Sequence, residues 1–289
     1  MQGPATCPSC GASFRNRRGL GGHLSTFNDH THAAIGQEIF PSFVLTPAGT
    51  RQNILSFSRV VDDVLSKALW GIDFFMISDR DANLPEAVLA DLEKRSAGRL
   101  RFLPRYHLEN YFLDAETIAA AFKNLEKPGS WLRDVAQIEA KLQSLAADLV
   151  PYAVQLWAGA RLTSEIGDVS ARVKGADKLS KTDFLSKLKE SMDTEHGRVS
   201  PLLDFKRVQT EVGVKWDEYS ALVAKNDAVW KHVLPGRPIC NRFANAAGMD
   251  PGRFKTLYIA AARESDFKPF ADLAACFQGF ETLATTPPA

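Results

Sequence analysis

Long apolar runs are missing from this chain. None of its 289 residues fall in an uninterrupted apolar stretch of helix-spanning length, taken as about 18 residues, which excludes a helical membrane span. The N-terminus has no apolar signal core ahead of a cleavage site, so a cytoplasmic location is expected. Cysteine is scarce. Four in a chain of this length are no disulfide framework; Cys7 and Cys10 form a close pair, whereas Cys240 and Cys276 read as small buried side chains. An excess of either charge is also lacking. Lys and Arg number 35 against 34 Asp and Glu, a formal net charge of +1, so any basic surface must come from local clustering. There is no internal repeat, no phosphate-binding glycine loop and no Walker motif. Any ATPase activity is therefore expected on a separate chain.

A hydrophobic content of 45% with 24% charged residues suffices for a packed core, and the length suits two domains or one with insertions. The chain is organised around residues 72 to 114. Ile72-Asp73-Phe74-Phe75-Met76-Ile77-Ser78 is a short apolar run that reads as a buried strand and ends in Asp79-Arg80-Asp81. Open α/β sheets carry their sites just past the carboxyl ends of strands, which makes Asp79 and Asp81 candidate site residues. Two carboxylates so close repel unless a cation or an arginine lies between them. Hard oxygen donors suit Mg²⁺ or Mn²⁺. The plainer alternative is a solvated turn that caps the next helix, with Arg80 balancing the charge.

Around this strand the pattern is β-α-β-α-β. Residues 39 to 46 read as a strand, and Thr50 caps a helix with Ile54, Phe57, Val61 and Leu65 at helical spacing. After the central strand, Pro85 opens a helix with Val88, Leu89 and Leu92 on its apolar face, and Arg99 to Leu103 is a third strand. Such an order implies parallel crossovers. The next segment is Pro104-Arg105-Tyr106-His107-Leu108-Glu109-Asn110-Tyr111-Phe112-Leu113.

Strand, Asp-x-Asp, helix and a segment ending Glu-Asn-Tyr-hydrophobic-Leu together resemble the topoisomerase–primase (TOPRIM) domain of OLD-type, ATPase-associated nucleases of bacterial anti-phage systems. The resemblance covers about residues 39 to 115, with a weaker echo near 230 to 282. It implies an α/β fold, a small parallel sheet followed by a mostly helical region. It also implies Mg²⁺- or Mn²⁺-dependent cleavage of nucleic acid, DNA or RNA, with Asp79, Asp81 and Glu109 on the metal. The partners would be nucleic acid and an AAA or ABC ATPase. In the echo, Pro235-Gly236-Arg237 matches a turn that opens a late helix, where Arg237 would contact a phosphate; otherwise it is only a turn. The family's domain opens with a strand ending in Glu, and nothing in residues 1 to 38 matches it; the acids there are Asp29 and Glu38. Either that strand is lost, or a zinc-finger-like segment replaces it, or the reading frame is altered at its start. A catalytically inactive scaffold that binds nucleic acid or protein is the alternative function.

That N-terminal segment reads Cys7-Pro8-Ser9-Cys10, then Phe14, Leu20 and His23. It resembles a two-Cys/two-His zinc finger over three ligands, since two thiolates and an imidazole provide the tetrahedral shell that Zn²⁺ prefers. His30 is the fourth ligand favoured by spacing, with His32 as the alternative. Gly19, Gly21 and Gly22 weaken the helix that would carry His23.

From residue 115 the chain reads as helical. Leu132, Val135, Ile138, Leu142, Leu145 and Leu149 form a stripe, with Ser130 as its cap. Residues 171 to 190 are the most basic stretch and read as a solvated helical face or as a track for a nucleic-acid backbone. Gly167, Gly175 and Gly197 read as loops. The expected division is 1–36 zinc-finger-like, 37–115 TOPRIM-like, 116–230 helical, 231–282 α-rich and completing the module, and 283–289 tail.

Overall fold

The computed structural model describes residues 5–6, 13–14, 75–80, 86–96, 98–167, 169, 172–225 and 228–285. The zinc ligands Cys7, Cys10, His23, His30 and His32, the second aspartate Asp81, and the strand and helix expected over 39 to 65 lie outside them. Two short strands, β1 (Ala5–Thr6) and β2 (Ser13–Phe14), pair antiparallel with Ala5 opposite Phe14.

The two strands expected on either side of the Pro85 helix are present and parallel. β3 spans Met76–Ser78 and β4 spans Leu100–Phe102, with Met76 opposite Leu100 and Ser78 opposite Phe102. The helix α1 (Glu86–Arg95) crosses between them, as parallel neighbours require. Flanking bonds extend the ladder, from Met76 N–H to the Arg99 carbonyl (2.8 Å) and from Leu103 N–H to the Ser78 carbonyl (2.9 Å). The return from α1 is tied by Ser96, whose hydroxyl donates to the Glu93 carbonyl (2.8 Å) and accepts from Leu100 N–H (3.0 Å). Gly98 takes φ +78° in that turn, a conformation that costs glycine nothing.

Beyond β4 the chain is helical. A 3₁₀ turn over Leu108–Phe112 leads into α2 (Ala115–Phe122), which Asp114 caps by accepting from Thr117 N–H (2.8 Å) and the Thr117 hydroxyl (2.7 Å). Then come α3 (Val135–Asp148), α4 (Val150–Ile166), α5 (Lys181–Val199), α6 (Phe205–Ala224), α7 (Trp230–Val233), α8 (Gly236–Ala246), α9 (Pro251–Glu264) and α10 (Ala271–Thr285). The described fold is thus a two-strand parallel sheet followed by a mainly helical region. Among the described residues no helix is long and apolar enough to cross a membrane.

Three local expectations are corrected. Ser130 does not cap α3. Its hydroxyl serves the 3₁₀ turn Trp131–Arg133, and Asp134 caps α3 by accepting from Ala136 N–H (2.9 Å) and Gln137 N–H (3.1 Å). An extended Asp at the helix start takes both orphan donors itself. Val135 is accordingly the first helical residue and exposed, while Ile138, Leu142, Leu145 and Leu149 are buried. Gly197 is no loop; it lies inside α5, a 19-residue helix long enough to absorb the roughly 1 kcal/mol that an interior glycine costs. Gly167 closes α4 at φ +59°, and Gly175 opens the 3₁₀ turn Ala176–Lys178 at φ +68°. The helix α5 buries none of its residues, so its lysines form a solvated face.

The core is one continuous cluster running from Leu103 to Phe280, and the 3₁₀ turn passes through it. Tyr111 and Phe112 are completely buried. Phe112 meets Tyr258 of α9 (5.1 Å between ring centroids) and Phe270 (5.7 Å), and Phe243 of α8 meets Phe254 of α9 (5.5 Å). Aromatic pairs at such spacings add about 0.5–1.5 kcal/mol each beyond burial. The apolar half of Glu-Asn-Tyr-Phe-Leu is therefore what pins its polar half against the sheet edge.

Candidate functional site

Asp79 is the first residue past the carboxyl end of β3. Its Oδ1 accepts from Leu108 N–H (3.1 Å), which opens the 3₁₀ turn. Arg80, beside it, donates to the Pro104 carbonyl (3.4 Å). The segment leaving β4 is thus folded back over the end of β3, and Glu109 arrives next to Asp79.

The position of that turn is set by Asn110. This side chain is wholly buried, and each of its hydrogen-bonding groups is used. Oδ1 accepts from His107 N–H (2.7 Å) and Gly236 N–H (3.2 Å), while Nδ2 donates to the carbonyls of Lys231 (2.7 Å) and Leu234 (2.8 Å). These bonds satisfy buried backbone groups at the α7–α8 junction that would otherwise be costly. Gly236 is required there: a β-carbon on it would stand 2.4 Å from Asn110 Cγ and 2.6 Å from Asn110 N. Pro235-Gly236-Arg237 and Glu109-Asn110 are complementary halves of one joint.

The joint delivers Arg237 to the two acids. Arg237 Nε donates to Glu109 Oε1 (3.0 Å), and Nη2 lies 3.5 Å from Asp79 Oδ2. The Arg237 backbone N–H donates to His107 Nδ1 (3.3 Å), so the His107 proton is assigned to Nε2. A second cation reaches the same carboxylate oxygen, with Lys255 Nζ 3.1 Å from Glu109 Oε1 and 5.8 Å from the centre of the Phe112 ring. The exposures differ sharply. The Glu109 side chain is 3% exposed, Lys255 11% and Arg237 51%. Burying a carboxylate is tolerable only with such partners.

Asp79, Glu109 and Arg237 are therefore brought together from three distant segments, and Asp81 lies outside the described residues. The resemblance places Arg237 at a phosphate; among the described residues its guanidinium pairs with the two acids. Asn110 and Lys255 were not singled out from sequence. Asn110 hides in a motif read for its glutamate. Lys255 carries a faint signal, a lysine on the apolar face of α9 beside Phe254, Tyr258, Ile259 and Ala262, all buried. Among the described residues no group of three or more His, Cys, Asp or Glu side chains is placed to hold a metal. Asp79 and Glu109 both present carboxylate oxygens to the Arg237 guanidinium, and such hard donors suit a divalent cation in chemistry.

Nearby titratable groups support an ion-pairing site rather than a nucleophilic one. Burial pushes the Cys240 thiol up to about 12 against the opposing pull of Lys255, which leaves it protonated and inert. Burial, reinforced by Asp272, also raises the Tyr111 hydroxyl. Arg105 stacks over the Tyr111 ring (4.1 Å to the centroid) and donates to Asp272 (3.0 Å) and to the carbonyls of Asn110 and Pro269. This brace ties the turn to the segment Pro269–Asp272. His232 is held below its ordinary value, first by burial and then by the Arg105 charge.

Comparison with known protein families, with curated proteins and with solved structures gives no match for this chain.

Proposed function

We propose that this chain is a divalent-metal-dependent nuclease module that cleaves phosphodiesters of nucleic acid, in concert with an AAA or ABC ATPase, in bacterial defence. The observation that carries the reading is the meeting of Asp79 and Glu109 at a single guanidinium past the end of a parallel strand. It supports the TOPRIM-like reading drawn from Asp-x-Asp and Glu-Asn-Tyr. Asp79 and Glu109, with Asp81, would hold Mg²⁺ or Mn²⁺; the bound ion would polarise a phosphoryl oxygen and lower the pKa of a water. Arg237 would bind the phosphate, and Lys255 pairs with Glu109 at the base of the site.

A second reading is favoured by one specific observation. Glu109 Oε1 already receives both Arg237 and Lys255. On that reading the module is a catalytically inactive scaffold for nucleic acid or protein, with the N-terminal Cys7, Cys10, His23 and His30 segment binding Zn²⁺ at its head. Incubating the purified chain with plasmid DNA and with RNA in Mg²⁺ or Mn²⁺ separates the two. The nuclease reading predicts weak cleavage that EDTA and Asp79→Ala both abolish. Absence of cleavage, also with the ATPase added, favours the scaffold. Robust cleavage that survives Asp79→Ala overturns the site assignment.

A further inference from the structure

The two cations on Glu109 are not equivalent. Lys255 is buried and backed by the Phe112 ring, and it approaches from α9 beneath the turn. Arg237 is half exposed, and its reach to Asp79 is long at 3.5 Å. Ion pairs of such exposure are worth little, because water screens them and the side chain loses freedom to hold them. A guanidinium gains more from a phosphate, which it can grip bidentately through charge-assisted bonds. Moving Arg237 leaves Glu109 compensated by Lys255. It leaves the fold intact as well, since the joint at residue 236 is held by backbone N–H groups and by Asn110.

We propose that Arg237 is a tethered counter-ion that closes the Asp79–Glu109 pair, and that a phosphodiester group opens the pair to a divalent cation by drawing the guanidinium away. This rests on the metal-site reading above and adds a regulation to it: the site takes its cation together with its substrate. A cation arriving alone must displace Arg237, whereas one arriving after the phosphodiester meets two carboxylates that the guanidinium has already left. Linkage makes the effect reciprocal, so bound metal must tighten phosphodiester binding by the same factor. Such coupling would keep a nuclease module idle in the absence of its substrate.

The test is Mn²⁺ binding to the full chain, read from the free-ion electron paramagnetic resonance signal, with no turnover needed. Arg237→Gln keeps the side chain's bulk and removes its charge. Its Mn²⁺ dissociation constant should fall about tenfold relative to the unaltered chain, an affinity gain equivalent to about 1.4 kcal/mol. Adding Asp79→Asn to Arg237→Gln should abolish that gain. Dimethyl phosphate, a phosphodiester monoanion, should tighten Mn²⁺ binding to the unaltered chain and leave Arg237→Gln unchanged. Equal, Asp79-dependent affinity in the unaltered chain and Arg237→Gln overturns the counter-ion role while leaving the metal site standing. No binding in either overturns both. A dimethyl phosphate effect that persists in Arg237→Gln overturns the opening step.

Discussion

Asn110 fills the volume that a β-carbon on Gly236 would need, with 2.4 Å between that position and Asn110 Cγ. Gly236→Ala therefore forces apart the two segments that carry Glu109 and Arg237. Overpacking of this kind costs about 1–3 kcal/mol, and the buried backbone offers little room to yield. Asn110→Ala should cost about 3 kcal/mol or more, because it strands several buried partners at about 1–3 kcal/mol each. In the double variant the two losses should add only in part, since the small side chain removes the clash with Asn110 Cγ and leaves the one with the Asn110 backbone N. Urea unfolding midpoints measure all three; simple additivity would show that the two residues do not share one joint.

Lys255→Met tests the buried charge. It leaves Glu109 with the half-exposed Arg237 as its remaining cation at that oxygen, and breaking one side of a buried pair costs about 3–5 kcal/mol. Combining it with Glu109→Gln should recover much of the loss, because no buried carboxylate is then left undercompensated. Thermal melts of the two variants decide this. A double variant as unstable as Lys255→Met would mean that lysine packing, not charge, is what matters.

His232 predicts a pH dependence. Its folded pKa lies below the ordinary 6.5 because burial and Arg105 disfavour the imidazolium. Below 6.5 the unfolded chain binds the proton more readily than the folded one, so stability is complete above 6.5 and falls as pH drops through the lowered folded value. Unfolding midpoints between pH 7.5 and 5 should decline more steeply in the unaltered chain than in His232→Gln. Identical slopes would assign the acid sensitivity elsewhere.

The N-terminal segment predicts a metal of its own. Purified protein should contain about one Zn²⁺ per chain, as one Cys₂His₂ site requires, and Cys7→Ser with Cys10→Ser should lose it. Metal analysis that finds zinc retained in that variant would remove Cys7 and Cys10 as ligands.

Much of the sheet and its edge is legible in the sequence, because a short apolar run that stops at Asp79 has one sensible place in an α/β unit, and the parallel pairing of β3 with β4 follows from the helix between them. The 3₁₀ turn at Leu108–Phe112 is less legible. Its residues have no period of their own, and its shape is imposed by Asn110 and by the buried Tyr111 and Phe112. Arg237 was legible as a basic residue at a turn but not in its pairing, which depends on how α8 meets the sheet edge. Lys255 was hidden for the same reason: a lysine on a helical face declares its charge but not the distant carboxylate that neutralises it. Asp134 in place of Ser130 as the α3 cap is a different failure. Both residues can cap, and local pattern does not rank two candidates four positions apart when a 3₁₀ turn separates them.

The central claim is that Asp79 and Glu109 share one divalent cation in place of Arg237. Crystals soaked in Mn²⁺ and measured at its absorption edge test it most directly. The account predicts a single anomalous peak at this sheet edge within about 2.0–2.6 Å of oxygens from both carboxylates, with the Arg237 guanidinium turned away. A map with no peak there and the guanidinium still seated between Asp79 and Glu109, at Mn²⁺ concentrations that saturate Arg237→Gln in solution, would contradict it.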